Sequence, residues 1–260
     1  MSNQENVDGR AISVSRNGAT GVISIERPHR RNSMDKEFVD QSLHALRELG
    51  SDPSVQVIIF HAKTSGFCAG SDLKYIGPMM PNEIVQFEIT CGELGRQIAL
   101  LPKPVIASVE EFAIGGGFTL ATCCDLVVSS REAKWALPEV PIGWLTPWGI
   151  WSLQSRCGDI VARQLCYCID DINATEAHEL GIVDYVCAPG EALKVASEIA
   201  SKLEELPQSA MEETKRFFSR LIVESAEVGE ARSSRMFAEN LNTAAAKITL
   251  EKFSPPHRIS

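Results

Sequence analysis

Two stretches of this chain follow one plan, and together they constrain the fold more than any other feature. VIIFHAKTSGFCAGSDL (57–73) and VIASVEEFAIGGGFTLATCCDL (105–126) each run from a short apolar segment into a glycine-containing turn and on into a helical pattern. Short apolar runs bounded by turn residues read as buried strands. Glycine turns let backbone N–H groups approach a ligand closely, and the start of a helix adds positive potential. Two such N–H groups aimed at one oxygen would form an oxyanion hole. GGG at 115–117 also permits close helix–strand packing, so by itself it does not decide between the two uses.

The flanking pattern extends this plan. AISVSR (11–16) and GVISIER (21–27) read as strands joined by Asn17-Gly18, a hairpin signal. Phe38, Val39, Leu43, Leu46 and Leu49 line one face of a helix over 35–49, with Ser33 near its start as a cap. Strands are expected over 55–62, 104–110 and 125–130, and a helix over 82–101 that Pro102 and Pro104 end. ATEAHELGIVDYV predicts a short helix stopped at Gly181, then a strand. Residues 190–206 and 208–250 are largely helical, with Pro207 between them. The fold class is α/β, with a core over 1–195 and a helical C-terminal part over 196–260.

Composition removes several functions. The net charge is −9 with no dense Lys/Arg run, which argues against a general nucleic-acid binder. No apolar run approaches the ~18 residues that span a bilayer. The polar, acidic start MSNQENVDGR matches neither a secretory signal nor a transit peptide, so a cytoplasmic location is expected. Eight cysteines, at 68, 91, 123, 124, 157, 166, 168 and 187, lack paired C-x-x-C spacing and read as buried thiols in a reducing compartment. Histidines 29, 44, 61, 178 and 257 are scattered without metal-ligand spacing, so no metal site is expected. G-x-G-x-x-G, a P-loop and G-x-S-x-G are all absent.

FCAGSDL, then about forty residues later AIGGGFTLATCCDLVV, then AKWALPEVPIGW, resembles the crotonase family of enoyl-CoA hydratases and isomerases. The resemblance runs from about residue 11 to 250 and takes in RPHRRNSM (27–34) and ATEAHELGIVDYV. It implies a spiral of ββα units, assembled as a homotrimer or a dimer of trimers with the C-terminal helices in the contacts. It implies an acyl-CoA thioester as substrate, with coenzyme A part of that substrate and no separate cofactor, and neither nucleic acid nor membrane as partner. The implied oxyanion hole uses the backbone N–H groups of Ser71 and Gly116, with Ala69, Asp72, Leu73, Gly115 and Gly117 in the binding loops. The Ser71 side chain, an alanine in many relatives, carries no assigned role. Lys74 matches a position near the CoA, and Arg27 or Arg31 would meet its phosphates, the alternative for each being a solvated surface charge. Asp72 reads as a turn or helix-cap residue.

Hydratases of this family usually carry two glutamates, the first three residues after the middle glycine of GGG. That position is Thr119 here, while the second is kept as Glu139 in LPEV. One carboxylate beside an oxyanion hole suits a reaction that moves one proton, so isomerisation of a 3-enoyl to a 2-enoyl thioester is the first expectation, with Glu139 as the single acid/base. Hydration stands close behind. Decarboxylation, C–C bond chemistry and a silent CoA-binding scaffold remain as alternatives.

All four tryptophans fall in 135–151. With a helix expected from about Pro147, Trp148 and Trp151 lie on one face. Trp144 and Trp148 are expected to wall the acyl pocket, raising the Glu139 pKa by excluding water. Trp135 reads as core or interface, and Trp151 as either.

Overall fold

The computed structural model describes residues 10–167 and 170–254. Cys168, His257 and the polar stretch before Arg10 lie outside the described residues. β1 (Ile12–Asn17) and β2 (Thr20–Ile25) form the expected hairpin, and α1 (Lys36–Ser51) leads to β3 (Val57–Ala62). A short α2 (Leu73–Ile76) and the long α3 (Pro81–Leu100) precede β4 (Val105–Val109). β5 (Phe112–Ile114), α4 (Gly116–Thr122), β6 (Leu126–Ser130) and β7 (Lys134–Ala136) follow. Then come α5 (Ile150–Tyr167), β8 (Ile172–Asn173), α6 (Ala174–Glu179), β9 (Tyr185–Cys187), α7 (Ala192–Glu204), α8 (Gln208–Asn240) and α9 (Ala244–Phe253).

The main sheet has the order β1-β2-β3-β4-β6-β9, antiparallel at the hairpin and parallel beyond it. Parallel neighbours need crossovers, which is why helices alternate with strands in the chain. α7 lays Ala192, Ala196 and Ala200 against Val57, Ile59, Ile106 and Val128 of this sheet. It therefore packs as part of the core and spans the expected boundary at 195/196.

A second sheet, β5-β7-β8, was not expected. Its strands hold three, three and two residues, too few for any hydrophobic period. It matters because β5 and β7 pair in parallel and feed two of the site's loops.

α5 starts at Ile150, not near Pro147, because Gly149 takes a left-handed φ of 75°. Trp148 thus precedes the helix, and the expected shared face with Trp151 is not formed. α8 packs along α3, and buried Lys215 ties the two by donating to the carbonyls of Ile98 (2.9 Å) and Lys103 (2.7 Å) and to Asp125 (2.7 Å). Among the described residues no helix is long and apolar enough to cross a membrane. The seven described cysteines are unpaired thiols, five of them buried.

Candidate active site

The first loop is held by RPHRRNSM. Asn32, fully buried with a φ of 53°, accepts from the Arg27 N–H (2.9 Å) and donates to the carbonyls of Thr64 (3.1 Å) and Gly66 (2.7 Å). Met34 donates to the Gly70 carbonyl and accepts from the Asp72 N–H, both at 2.8 Å, which pins Ser71 between them. Asn32→Ala removes three buried bonds that fix the loop. It is expected to lower stability by about 2–4 kcal/mol in urea denaturation.

The second loop enters from β5. The Gly115 N–H donates to the Ala136 carbonyl at the end of β7, and α4 starts at Gly116. A Cβ on Gly117 would run into the Cys68 carbonyl, so this glycine serves close packing between the loops. A Cβ on Gly70 would lie 3.1 Å from the Gly116 nitrogen, so the two loops touch there. Among the described residues, the N–H groups of Ser71 and Gly116 donate to no protein carbonyl. Two unpaired donors on adjoining loops have the layout of an anion-stabilising pair.

The acid arrives from the third segment. After β7 the chain turns at Pro138, and Glu139 opens a short 3-10 turn over Val140–Ile142. The C-terminal helices brace this turn. The Asn240 amide donates to the Gly143 carbonyl (3.0 Å), and the Thr249 hydroxyl donates to the Ile142 carbonyl (2.7 Å). A Cβ on Gly115 would come 3.0 Å from Glu139 Oε1, so the carboxyl leans over the GGG turn.

These parts enclose a cavity of about 80 Å³. Of the predicted residues, Ala69, Ser71, Leu73, Gly115, Gly116, Thr119, Glu139, Trp144 and Trp148 line it. Two clefts flanking α5 are larger, about 790 and 830 Å³, but neither is lined by either N–H residue or by Glu139.

Other predicted residues are placed elsewhere. Arg27 is buried and pairs with Asp35 (2.6 Å), the Ser33 carbonyl and Asp72 (3.6 Å), so it clamps the loop and is not available to a CoA phosphate. Asp72 caps α2, accepting from the N–H groups of Lys74 and Tyr75. Arg31 is exposed, with its guanidinium 4.6 Å from the Phe112 ring centre. Lys74 is exposed beside the first loop. Trp135 is a core residue, fully buried against Phe118, and its indole N–H donates to the Ser129 hydroxyl. Trp151 lies away from the cavity, donating to Glu230 (2.8 Å).

The structure adds one residue that motif matching missed. Glu88, on α3, lines the same cavity and is 4% exposed. Its Oε1 is 2.7 Å from the Ser71 hydroxyl, and its Oε2 accepts from the Trp148 indole N–H at 3.0 Å. The site therefore holds two carboxyl groups, and Glu139 is not alone. The signal in the sequence was positional: Ile84, Phe87, Cys91, Leu94 and Ile98 form the buried face of α3, and Glu88 falls four residues after Ile84 on that face.

Burial pushes both acids up to about 7, and the charge of Glu88 raises Glu139 further. The bonds from Ser71 and Trp148 partly offset this at Glu88. Glu139 Oε2 and Trp144 Nε1 are buried without hydrogen-bond partners, and both residues line the cavity, while the Thr146 hydroxyl meets the Cys166 thiol. Thr119 uses its hydroxyl locally, on the Gly116 carbonyl (3.1 Å).

The sequence profile of the enoyl-CoA hydratase/isomerase family matches residues 15–256. A short-chain-enoyl-CoA hydratase of Clostridium acetobutylicum is 30% identical over 251 residues, covering 95% of this chain and 96% of its own length. A crotonyl-CoA hydratase of Syntrophomonas wolfei is 35% identical over 185 residues, covering 70% and 71%. The crystal structure of an enoyl-CoA hydratase/isomerase from Mycobacterium paratuberculosis superposes with a TM-score of 0.86 at 23% identity, covering 94% of this chain and 98% of that one, which shows the shared fold. A profile match over residues 15–256 and a 30%-identical relative covered along nearly the whole chain make this protein a member of the enoyl-CoA hydratase/isomerase family within the crotonase superfamily.

Proposed function

We propose that this protein hydrates a short 2-enoyl thioester of coenzyme A through a thioester enolate. The observation that carries the reading is a pair of unpaired polar atoms on residues that line the cavity, Glu139 Oε2 and Trp144 Nε1. Each buried polar atom left unpaired costs roughly 1–3 kcal/mol, so two beside one space argue for a polar occupant. A water satisfies them, donating to the carboxylate and accepting from the indole. A cavity of about 80 Å³ leaves room beside it for only a short acyl group.

The backbone N–H groups of Ser71 and Gly116 then hold the thioester oxygen as negative charge develops there. Glu139 takes the proton of the water while its oxygen bonds to C3. A base with a pKa near ambient pH suits that step. Coenzyme A itself extends from the first loop, where Lys74 and Arg31 are the exposed cations.

Isomerisation is the second reading, favoured by Thr119 in the first acid position and by the indole walls that restrict water. Crotonyl-CoA and 3-hexenoyl-CoA, incubated separately, distinguish the two by absorbance of the conjugated enoyl thioester. Hydration predicts that crotonyl-CoA absorbance falls and a product one water heavier appears by mass spectrometry. A rise with 3-hexenoyl-CoA and none of that product replaces hydration by isomerisation. Binding of CoA esters with no turnover overturns both.

A further inference from the structure

We propose that Glu88 and the Ser71 hydroxyl form the second proton-transfer arm of this site, supplying a proton to C2 while Glu139 removes one from water. The inference rests on the hydration reading and assigns the task that position 119 cannot perform. Its basis is directional. Trp148 Nε1 can only donate, so Glu88 Oε2 must accept. When Glu88 is protonated, its proton therefore sits on Oε1 and points at Ser71 Oγ, 2.7 Å away. Ser71 then accepts from Glu88, and its own O–H is free to turn into the cavity that both residues line. When Glu88 is ionised, the bond reverses and the hydroxyl turns back to the carboxylate. Ser71 thus serves twice, with its N–H on the oxygen and its O–H on the carbon.

The step balances. The oxygen of water bonds to C3 and one of its protons goes to Glu139. The C2–C3 π electrons move toward the thioester and then take up the Ser71 hydroxyl proton at C2. Glu88 restores that proton to Ser71, leaving Glu88 ionised and Glu139 protonated, and the net change in substrate is the addition of one water.

The arm resets from outside. Glu88, Pro147 and Trp148 also line a second cleft, of about 520 Å³, on the far side. Ile89, Glu227 and Ala231 on its wall are exposed, so it reaches solvent. Glu88 stands between the cavity and this cleft, where a proton can be exchanged on the side away from the substrate. The ionisable groups around it are Glu139 across the cavity, Cys91 on the next turn of α3, and Glu93, Arg96, Glu227 and Glu230 around the cleft. Arg96 is held by Glu93 and Glu230.

Hydration rates against pH test the arm. Glu139 must be ionised and Glu88 protonated, so the wild-type kcat falls on both sides of neutrality, and its decline with rising pH reports Glu88. Ser71→Ala keeps the backbone N–H and removes only the hydroxyl. Glu88→Gln keeps an acceptor for Trp148 and removes the proton. Each is expected to lower kcat about 30-fold with KM changed less than about threefold. Glu88→Gln should also lose the decline at high pH. Trp148→Phe removes a donor that stabilises the ionised form, so that decline should move to higher pH, and it keeps the proposal testable if Glu88→Gln does not fold.

A Glu88 that merely held α3 in place would lower the melting temperature and leave both limbs where they were. That outcome, or wild-type kcat in Ser71→Ala, overturns the proposal. Absence of hydration by the wild-type protein instead overturns the reading on which it rests.

Discussion

Glu139→Gln is expected to lower turnover of any enoyl thioester by about 10⁴-fold while making the fold more stable at pH 8. The two effects share one cause. The carboxyl is 7% exposed, one of its oxygens has no partner, and a second acid shares the cavity. Its pKa rises from 4.5 to about 7. In the unfolded chain the group ionises at about 4.5, and in the native state only near 7. Below 4.5 both states hold the proton and stability is unaffected. Stability falls as pH rises from 4.5 to 7, and above 7 the native state carries the full cost of the buried charge, about 3 kcal/mol from this shift. Glutamine keeps the shape and carries no charge. Chemical denaturation at pH 5 and pH 8 should therefore show a stability gain for Glu139→Gln that is larger at the higher pH, with kcat lost at both. Retained turnover would remove Glu139 from the chemistry. A variant less stable than wild type at pH 8 would overturn the claim that the buried charge costs the native state stability.

Glu139 was legible because it sits in LPEV, a motif tied to a local turn. Glu88 was not, although it shares the cavity. Its partners are Ser71, seventeen residues before it, and Trp148, sixty residues after it, and only the fold brings them together. One acid in an amphipathic helix looks like part of a solvated face until the other buried positions are aligned. Arg27 shows the opposite failure. An arginine in a binding motif suggested phosphate recognition, but Asp35, Asp72 and the Ser33 carbonyl consume it.

The long elements followed from periodicity, since α1, α3 and α7 each bury one apolar face and the inner strands β2, β3, β4 and β6 are buried apolar runs. The small sheet escaped because its strands are shorter than one informative period. The start of α5 was misplaced because a proline signals where a helix can begin, while the left-handed glycine two residues later decided where it does. The tryptophans then divide by environment. Trp135 is core, Trp144 and Trp148 face the cavity, and Trp151 holds Glu230.

Gly70→Ala should cost about 10²–10³-fold in kcat/KM with both carboxyl groups untouched. Gly70 has a φ of 84°, where an alanine is strained, and its Cβ would stand 3.1 Å from both the Gly116 nitrogen and the Ile114 carbonyl. These are backbone atoms of an anchored turn and cannot swing aside as a side chain would. Relief comes only by moving the two loops apart by a few tenths of an ångström, which misaligns the N–H groups of Ser71 and Gly116. Strain and displacement need separating, and a second glycine does so. Gly190 has nearly the same φ, 82°, and a Cβ there would meet nothing within 4 Å. Gly190→Ala should thus lose a similar ~1 kcal/mol of stability from backbone strain alone and keep its turnover. If the two variants lose activity equally, the loss tracks stability. If Gly70→Ala keeps its kcat/KM, the two loops do not jointly hold the thioester oxygen. A large loss confined to Gly70→Ala, in a protein whose melting temperature matches Gly190→Ala, locates the effect at the contact between the loops.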